Sequence, residues 1–320
     1  MDIFYFIIQN TMFFMIPLMI VALGGLFSEK SGIINIALEG KMVIGAFTGI
    51  LTITTIQQNF PNFNPALLLL IAMLVAILSG VIISLLHAFA SINLNANQVI
   101  SGIAINMFAP AFAIYFSWII IGNQNISFIN QFRIDHVPFL GSIPLIGPMF
   151  FQGTYFSTLL GFIILGVSSF VLYKTKFGLR LRACGEHTGA ADSVGISVKK
   201  IRYAGVILSG MLAGLGGLIY IIPVSVVFNG SVSGYGFLAL AVLIFGGWNP
   251  IKIIFAAFFF GLMQTIAASN SAIPFLAALP VPSHFYRMAP YIATLILLAF
   301  TSKKTVAPKA LGEPYDKGRR

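Results

Sequence analysis

Charge is scarce in this sequence: only 8% of its 320 residues are Asp, Glu, Lys or Arg, against 58% hydrophobic. Soluble domains carry about 25% charged residues, and a chain this apolar cannot cover its surface with polar groups. The solvent must therefore be lipid, where backbone polar groups pair within a helix or a closed barrel. Barrel strands alternate apolar and polar residues. Here the apolar runs are continuous and about 20 residues long, which is the length a spanning helix needs. Other absences narrow the chemistry. A lone Cys184 excludes an internal disulfide and a cysteine-based metal cluster. No G-x-x-x-x-G-K-[ST], H-E-x-x-H or G-x-S-x-G string occurs, so no P-loop, zinc-protease or nucleophile-elbow chemistry is expected. His87, His136, His187 and His284 lie far apart, and no metal site is expected. No arginine ladder and no central carboxylate marks the spans; Glu39, near the inner end of the second, comes nearest. A self-powered pump or a proton symporter is disfavoured. The start has Asp2 and no basic run, so it is taken as a first span rather than a cleavable leader.

What is present reads as an all-α polytopic bundle of about nine spans, within a range of eight to ten: 3–26, 33–56, 65–89, 97–121, 153–173, 202–222 stopped by Pro223, a short 235–248, 251–268 and 286–301. The net charge of +10 gathers in two clusters beside apolar runs. One is the loop 174–202, with Lys174, Lys176, Arg180, Arg182, Lys199, Lys200 and Arg202; the other is the tail 302–320. Topology control and lipid head-group contact account for them better than nucleic acid does. Both clusters should be cytoplasmic, which places the N-terminus outside and the connections 57–64, 122–152 and 223–234 outward, with Arg133 as their one basic residue. The transmembrane domain is then 1–301. A faint repeat runs through it: LGGL at 23–26 followed by SGIINIALEG at 31–40, and LGGL at 215–218 followed by SGYGFLALAV at 233–242. Two pseudo-symmetric halves with the path at their interface would produce such a pattern.

The stretch GLRLRACGEHTGAADSVGI at 178–196 is too long for a tight turn. Residues 190–194 can form a short helix stopped by Gly195. Small residues on such a helix suit insertion into a partner's groove; a solvated basic loop that only sets topology would look the same. This stretch is similar to the coupling segment of ABC-importer permeases, E-A-A, three residues, then Gly. Ala190, Ala191 and Gly195 match, with Gly189 in the place of the Glu. Together with GIINIALEG at 32–40, SGMLAGLGGLIY at 209–220, GYGFLALAVLIFGGWNP at 234–250 and ALGEPYDKGRR at 310–320, the chain resembles permease subunits of nucleoside-type ABC importers, in the branched-chain amino acid and simple-sugar permease superfamily. It departs from the family at Glu186-His187-Thr188, where Glu-Asn-Pro is usual, and at Lys41, where Met is usual; Lys41 would snorkel or pair with Glu39.

The resemblance implies a membrane permease, not an enzyme, that imports nucleosides by alternating access. It implies a cytoplasmic ABC ATPase holding ATP and Mg, a second homologous permease chain (often a heterodimer) and an extracytoplasmic substrate-binding lipoprotein. The chain itself would carry no cofactor. Coupling to the ATPase would fall on Gly178, Arg180, Arg182, Gly185, Glu186, Ala190, Ala191 and Gly195. Polar residues inside spans are candidates for the translocation path: Asn35, Glu39, Asn97, Gln98, Asn106 and Gln264. Helix–helix hydrogen bonding would explain them equally well. Met107 and Phe108 are expected in the core, and Cys184 as a small buried or loop residue. The rival readings are a sugar or branched-chain amino acid permease, a secondary transporter acting alone, and a non-transporting scaffold.

Overall fold

A computed structural model describes residues 2–144, 147–273, 282–301 and 307–315. Eleven α-helices account for most of them: α1 (Asp2–Lys30), α2 (Leu38–Asn59), α3 (Pro65–Ala88), α4 (Gln98–Ile121), α5 (Phe156–Lys174), α6 (Lys176–Glu186), α7 (Thr188–Ser193), α8 (Val198–Val224), α9 (Tyr235–Phe245), α10 (Pro250–Ala268) and α11 (Ser283–Thr301). All nine expected spans fall on helices. Six of these (α1, α3, α4, α5, α8 and α10) are long and apolar enough to cross a membrane, and α9 is a shorter apolar helix. Of the basic tail only Lys309 is described; Lys303, Lys304, Lys317, Arg319 and Arg320 lie outside the described residues.

Local chemistry sets the helix starts. The Asn64 Oδ1 accepts from the N–H groups of Ala66 and Leu67 ahead of Pro65, Asn97 does the same for α4, and Asn249 precedes Pro250 in α10. A side-chain acceptor at the cap and a proline in the first turn satisfy or remove donors that a helix leaves orphaned. Two boundaries differ from expectation. Pro223 lies inside α8, which continues to Val224, since a proline in the last turn removes little helical bonding. The second helix begins at Leu38, not 33, because residues 31–37 leave helical geometry.

At one end of the bundle lie two small antiparallel sheets, β1 (Ile126–Ser127) with β4 (Val227–Phe228), and β2 (Arg133–His136) with β3 (Gln152–Tyr155). The C-terminal part of α2 reaches the same end, where Gln57 exchanges hydrogen bonds with Ile129, and so does the N-terminal part of α1, whose Gln9 Nε2 donates to the Pro148 carbonyl. At the other end the C-terminus of α1 meets α6 and residues 307–315. The connections 57–64, 122–152 and 223–234 thus share one end, opposite α6 and residues 307–315.

α1 and α8 form the centre. Glycines let helices touch backbone to backbone: a Cβ on Gly217 would sit 2.0 Å from the Met42 carbonyl oxygen, one on Gly45 2.2 Å from that of Gly214, and one on Gly80 2.1 Å from that of Gly210. Small residues at such crossings are how helices pack in lipid, where no hydrophobic force drives them together. α3, α4 and α5 turn large side chains outward, Leu74, Ile82, Tyr115 and Ile163 among them. Met107 and Phe108 join them, against the expected core placement, at 73% and 49% exposed.

Candidate functional site

Each repeat copy leads into an interruption, 31–37 after α1 and 225–234 after α8. Irregular backbone is tolerated at membrane depth only where protein or cavity water satisfies it. Side chains do so at 31–40. The Ile34 N–H donates to Gln98 Oε1 at 2.8 Å, and the Ile34 carbonyl faces His87 Nε2 at 3.0 Å. Asn106 holds both sides, its Nδ2 donating to the Ile36 carbonyl at 2.9 Å and its Oδ1 accepting from the Gly40 N–H at 2.8 Å. Ser28 Oγ donates to the Ile33 carbonyl at 2.9 Å. Asn35 donates to Ser209 Oγ and accepts from Lys41 Nζ, the latter at 2.8 Å. Lys41 is fully buried, so it does not snorkel; its Nζ is given to Asn35, while the Glu39 oxygens are taken up by the Gly234 and Gly236 N–H groups.

Glu39 ties the two interruptions together. It stands in the first turn of α2, but α2 starts within the bundle, so the carboxylate is buried rather than at the rim. Its oxygens accept from the Gly234 N–H at 2.9 Å and the Gly236 N–H at 2.6 Å, at the start of α9. A carboxylate there meets orphan donors and the positive end of the helix dipole. Beside it the rings of Tyr220 and Tyr235 stack at 3.8 Å. Between α9 and α11 a cavity of about 390 Å³ opens, lined by Gly234, Phe237, Leu238, Ala241, Tyr291, Thr294 and Leu295. Its wall carries the aromatic rings of Phe237 and Tyr291, two hydroxyl side chains, Tyr291 and Thr294, and no charged group. That suits a neutral, flat, partly polar solute.

The structure thus gathers four of the six path candidates, Asn35, Glu39, Gln98 and Asn106, around one interrupted segment, where Gln98, Asn106 and Glu39 bond backbone groups and Asn35 bonds Ser209 and Lys41. Asn97 caps α4 instead. Gln264 is half-buried on α10, which packs chiefly on α1, α9 and α11. Ser209 and the Trp248–Glu29 hydrogen bond were not singled out in the sequence, and His87 was weighed only as a metal ligand. The dipeptide Ser31-Gly32, a turn signal directly after Glu29-Lys30, was the available sign of the break.

At the other end of α8, the stretch 174–202 is mostly helical. α6 lies close on its neighbours through glycine: a Cβ on Gly178 would be 2.2 Å from the Val171 carbonyl oxygen, and one on Gly185 2.3 Å from that of Lys30. Arg182 is half-buried with its guanidinium 5.3 Å from the centre of the Tyr173 ring, which is cation–π packing; Arg180 and Glu186 are exposed. The short α7 is capped by His187 Nδ1, which accepts from the Ala190 N–H at 3.1 Å, and is closed by Gly195 at φ +80°. That left-handed closure is the one its spacing predicts. Ala190 is exposed, whereas Ala191 is buried against Cys184 and Val198. Burial pushes the Cys184 thiol up from its ordinary pKa, which keeps it unreactive. Among the described residues no group of three or more His, Cys, Asp or Glu could hold a metal.

Residues 7–299 match the family described as branched-chain amino acid transport system / permease component. The chain belongs to this permease family. It is a multi-pass plasma-membrane protein and, as a permease component, moves a solute rather than transforming one. It is 42% identical to the guanosine ABC transporter permease protein NupQ of Bacillus subtilis, over 98% of this chain and 97% of that one. It is 40% identical to the nucleoside ABC transporter permease protein NupC of Lactococcus lactis over the same shares, 98% and 97%. The guanosine ABC transporter permease protein NupP of Bacillus subtilis is 25% identical over 94% of this chain and 82% of its own length. No solved structure matches.

Proposed function

We propose that this permease carries nucleosides inward as the membrane subunit of an ABC importer. The observation that supports this most is whole-length similarity to two permeases whose names specify guanosine and nucleosides. The uncharged, aromatic cavity beside Glu39 agrees with a solute that has a flat base and no net charge. A branched-chain amino acid, with its two charges, would call for counter-charges that this wall does not have.

In this reading the chain crosses the membrane nine times, with its N-terminus outside and its C-terminus in the cytoplasm. Residues 1–301 are the transmembrane domain and 302–320 a basic cytoplasmic tail. The partners are a cytoplasmic ATPase that holds ATP and Mg, a substrate-binding lipoprotein outside, and a second homologous permease. Bacillus subtilis has two guanosine permease proteins, one near this chain and one distant, as a heterodimer would require. The 174–202 region docks the ATPase through the outward face of α7, Ala190 with Gly189, flanked by Arg180 and Glu186. Gly178, Gly185, Arg182, Ala191 and Gly195 hold that face in shape. The solute passes where α2 and α9 both begin, and rearrangement of the Glu39 junction opens one side or the other.

The test is uptake of radiolabelled guanosine, uridine and adenosine by cells with and without the chain, with unlabelled ribose and leucine as competitors. Loss of nucleoside uptake on deletion, insensitive to ribose and leucine, is expected. Retained uptake in cells with no second nucleoside carrier refutes the reading, and competition by ribose or leucine transfers it to that solute.

A further inference from the structure

After α11 the chain comes back to the bundle. Residues 307–315 bond three separate pieces of it. The Ala310 N–H donates to the Gly185 carbonyl of α6 at 2.9 Å, and the Gly312 N–H to the Gly32 carbonyl of the interrupted segment at 3.0 Å. Arg202, at the foot of α8, donates from Nη1 to the Glu313 carbonyl at 2.9 Å. Tyr315 packs with Cys184, Ala191 and Val198, which puts it against the inner side of α7. The fit needs glycine: Gly32 and Gly312 have φ of +93° and +82°, and a Cβ on Gly32 would lie 3.2 Å from the Ala310 carbonyl oxygen. Ala310 and Arg202 are 4% and 1% exposed. The Nε and Nη2 of Arg202 meet no other acceptor among the described residues, so releasing the tail would strip a buried guanidinium of the bond it has.

We propose that residues 307–315 are a mechanical tie. They make α6–α7 and the interrupted segment 31–37 shift as one body, so that motion of the docking helix reaches the Glu39 junction. This rests on the reading of α7 as the ATPase-docking element. Gly32 lies seven residues from Glu39, and the hydrogen bond between Asn35 and Lys41 ties residue 35 of the segment to the first turn of α2, where Glu39 stands. The tie therefore joins the two functional regions through the backbone hydrogen bonds of Ala310 and Gly312.

The experiment uses the complete complex in proteoliposomes, with guanosine as solute, and reads uptake and ATP hydrolysis together. Three chains are compared: the full chain, one ending at residue 306, and one ending at residue 315. The chain ending at 306 should assemble with its partners and hydrolyse ATP, while uptake per ATP falls roughly tenfold, the size of an ordinary coupling between sites. The chain ending at 315 should match the full chain. Gly312→Ala, which strains the turn at φ +82° and brings a Cβ to 2.7 Å from Ile34 Cδ1, should lower uptake per ATP in the same direction. Should the full chain show no ATP-dependent uptake, the importer reading fails, whatever the tail does. Should the full chain couple and the chain ending at 306 couple equally well, the tie is refuted. It is also refuted if uptake and hydrolysis fall in parallel, because the tail would then serve folding or assembly only.

Discussion

α1 and α4 look alike as sequences and fare oppositely in the fold. Their mean hydropathies are 2.0 and 1.8, yet 94% of the apolar stretch of α1 is buried and only 22% of that of α4. α8 and α5 repeat the contrast, with hydropathies of 2.1 and 2.0 and buried shares of 78% and 28%. In lipid, apolarity says that a helix spans and nothing about which neighbours it has, because lipid tails are as apolar as leucine. Shape decides. α8 carries the string of small residues that lets α2 and α3 meet its backbone; the glycine at position 166 in α5 has nothing within 4 Å of a Cβ placed there.

The largest expected effect strikes that difference at its root. Gly217→Val forces a side chain into the Met42 carbonyl oxygen, where even a Cβ would sit at 2.0 Å. It should cost more than about 3 kcal/mol, beyond ordinary overpacking, and show as loss of folded, membrane-inserted protein in a thermal-melt assay of detergent extracts. Next comes Asn106→Leu, which keeps the branched side-chain shape and strands the Ile36 carbonyl and the Gly40 N–H. A loss of about 2 kcal/mol is expected, read from the same melt, and an unchanged melting temperature would mean that water replaces the clamp. A third pair separates packing from docking within α7. Ala191→Trp should destabilise the protein, since Ala191 is 3% exposed, whereas Ala190→Trp should leave the melt unchanged and lower ATPase capture in a pull-down. The smallest effect belongs to Gly166→Leu, within about 0.5 kcal/mol of the parent; a large loss there would show that α5 is covered by a partner rather than by lipid.

How much of this could be read beforehand follows from the same physics. Helix positions were legible, because caps such as Asn64-Pro65 and Asn249-Pro250 and runs of spanning length are local signals. The closure of α7 at Gly195 was legible for the same reason. The irregular backbone at 33–37, read as the start of the second span, was not. An apolar run stays apolar whether its carbonyls bond within a helix or to His87 and Asn106, which lie more than fifty residues on. Polarity marked Asn35, Gln98 and Asn106 correctly as interior groups, yet could not distinguish a residue that serves backbone from one that meets solute. The phase of a six-residue helix was equally hidden, so Ala190 and Ala191 read as equivalent until their burial separated them. Met107 and Phe108 were misplaced because large apolar side chains face lipid as readily as core.

The most direct test of the account is nucleoside uptake by cells whose only copy of this permease carries Ala190→Trp, compared with Gly166→Leu at matched membrane levels. Abolished guanosine uptake for Ala190→Trp, with normal stability and normal uptake for Gly166→Leu, is the predicted result. Full uptake by a stable Ala190→Trp protein would contradict it, since the outward face of α7 would then have no part in driving transport.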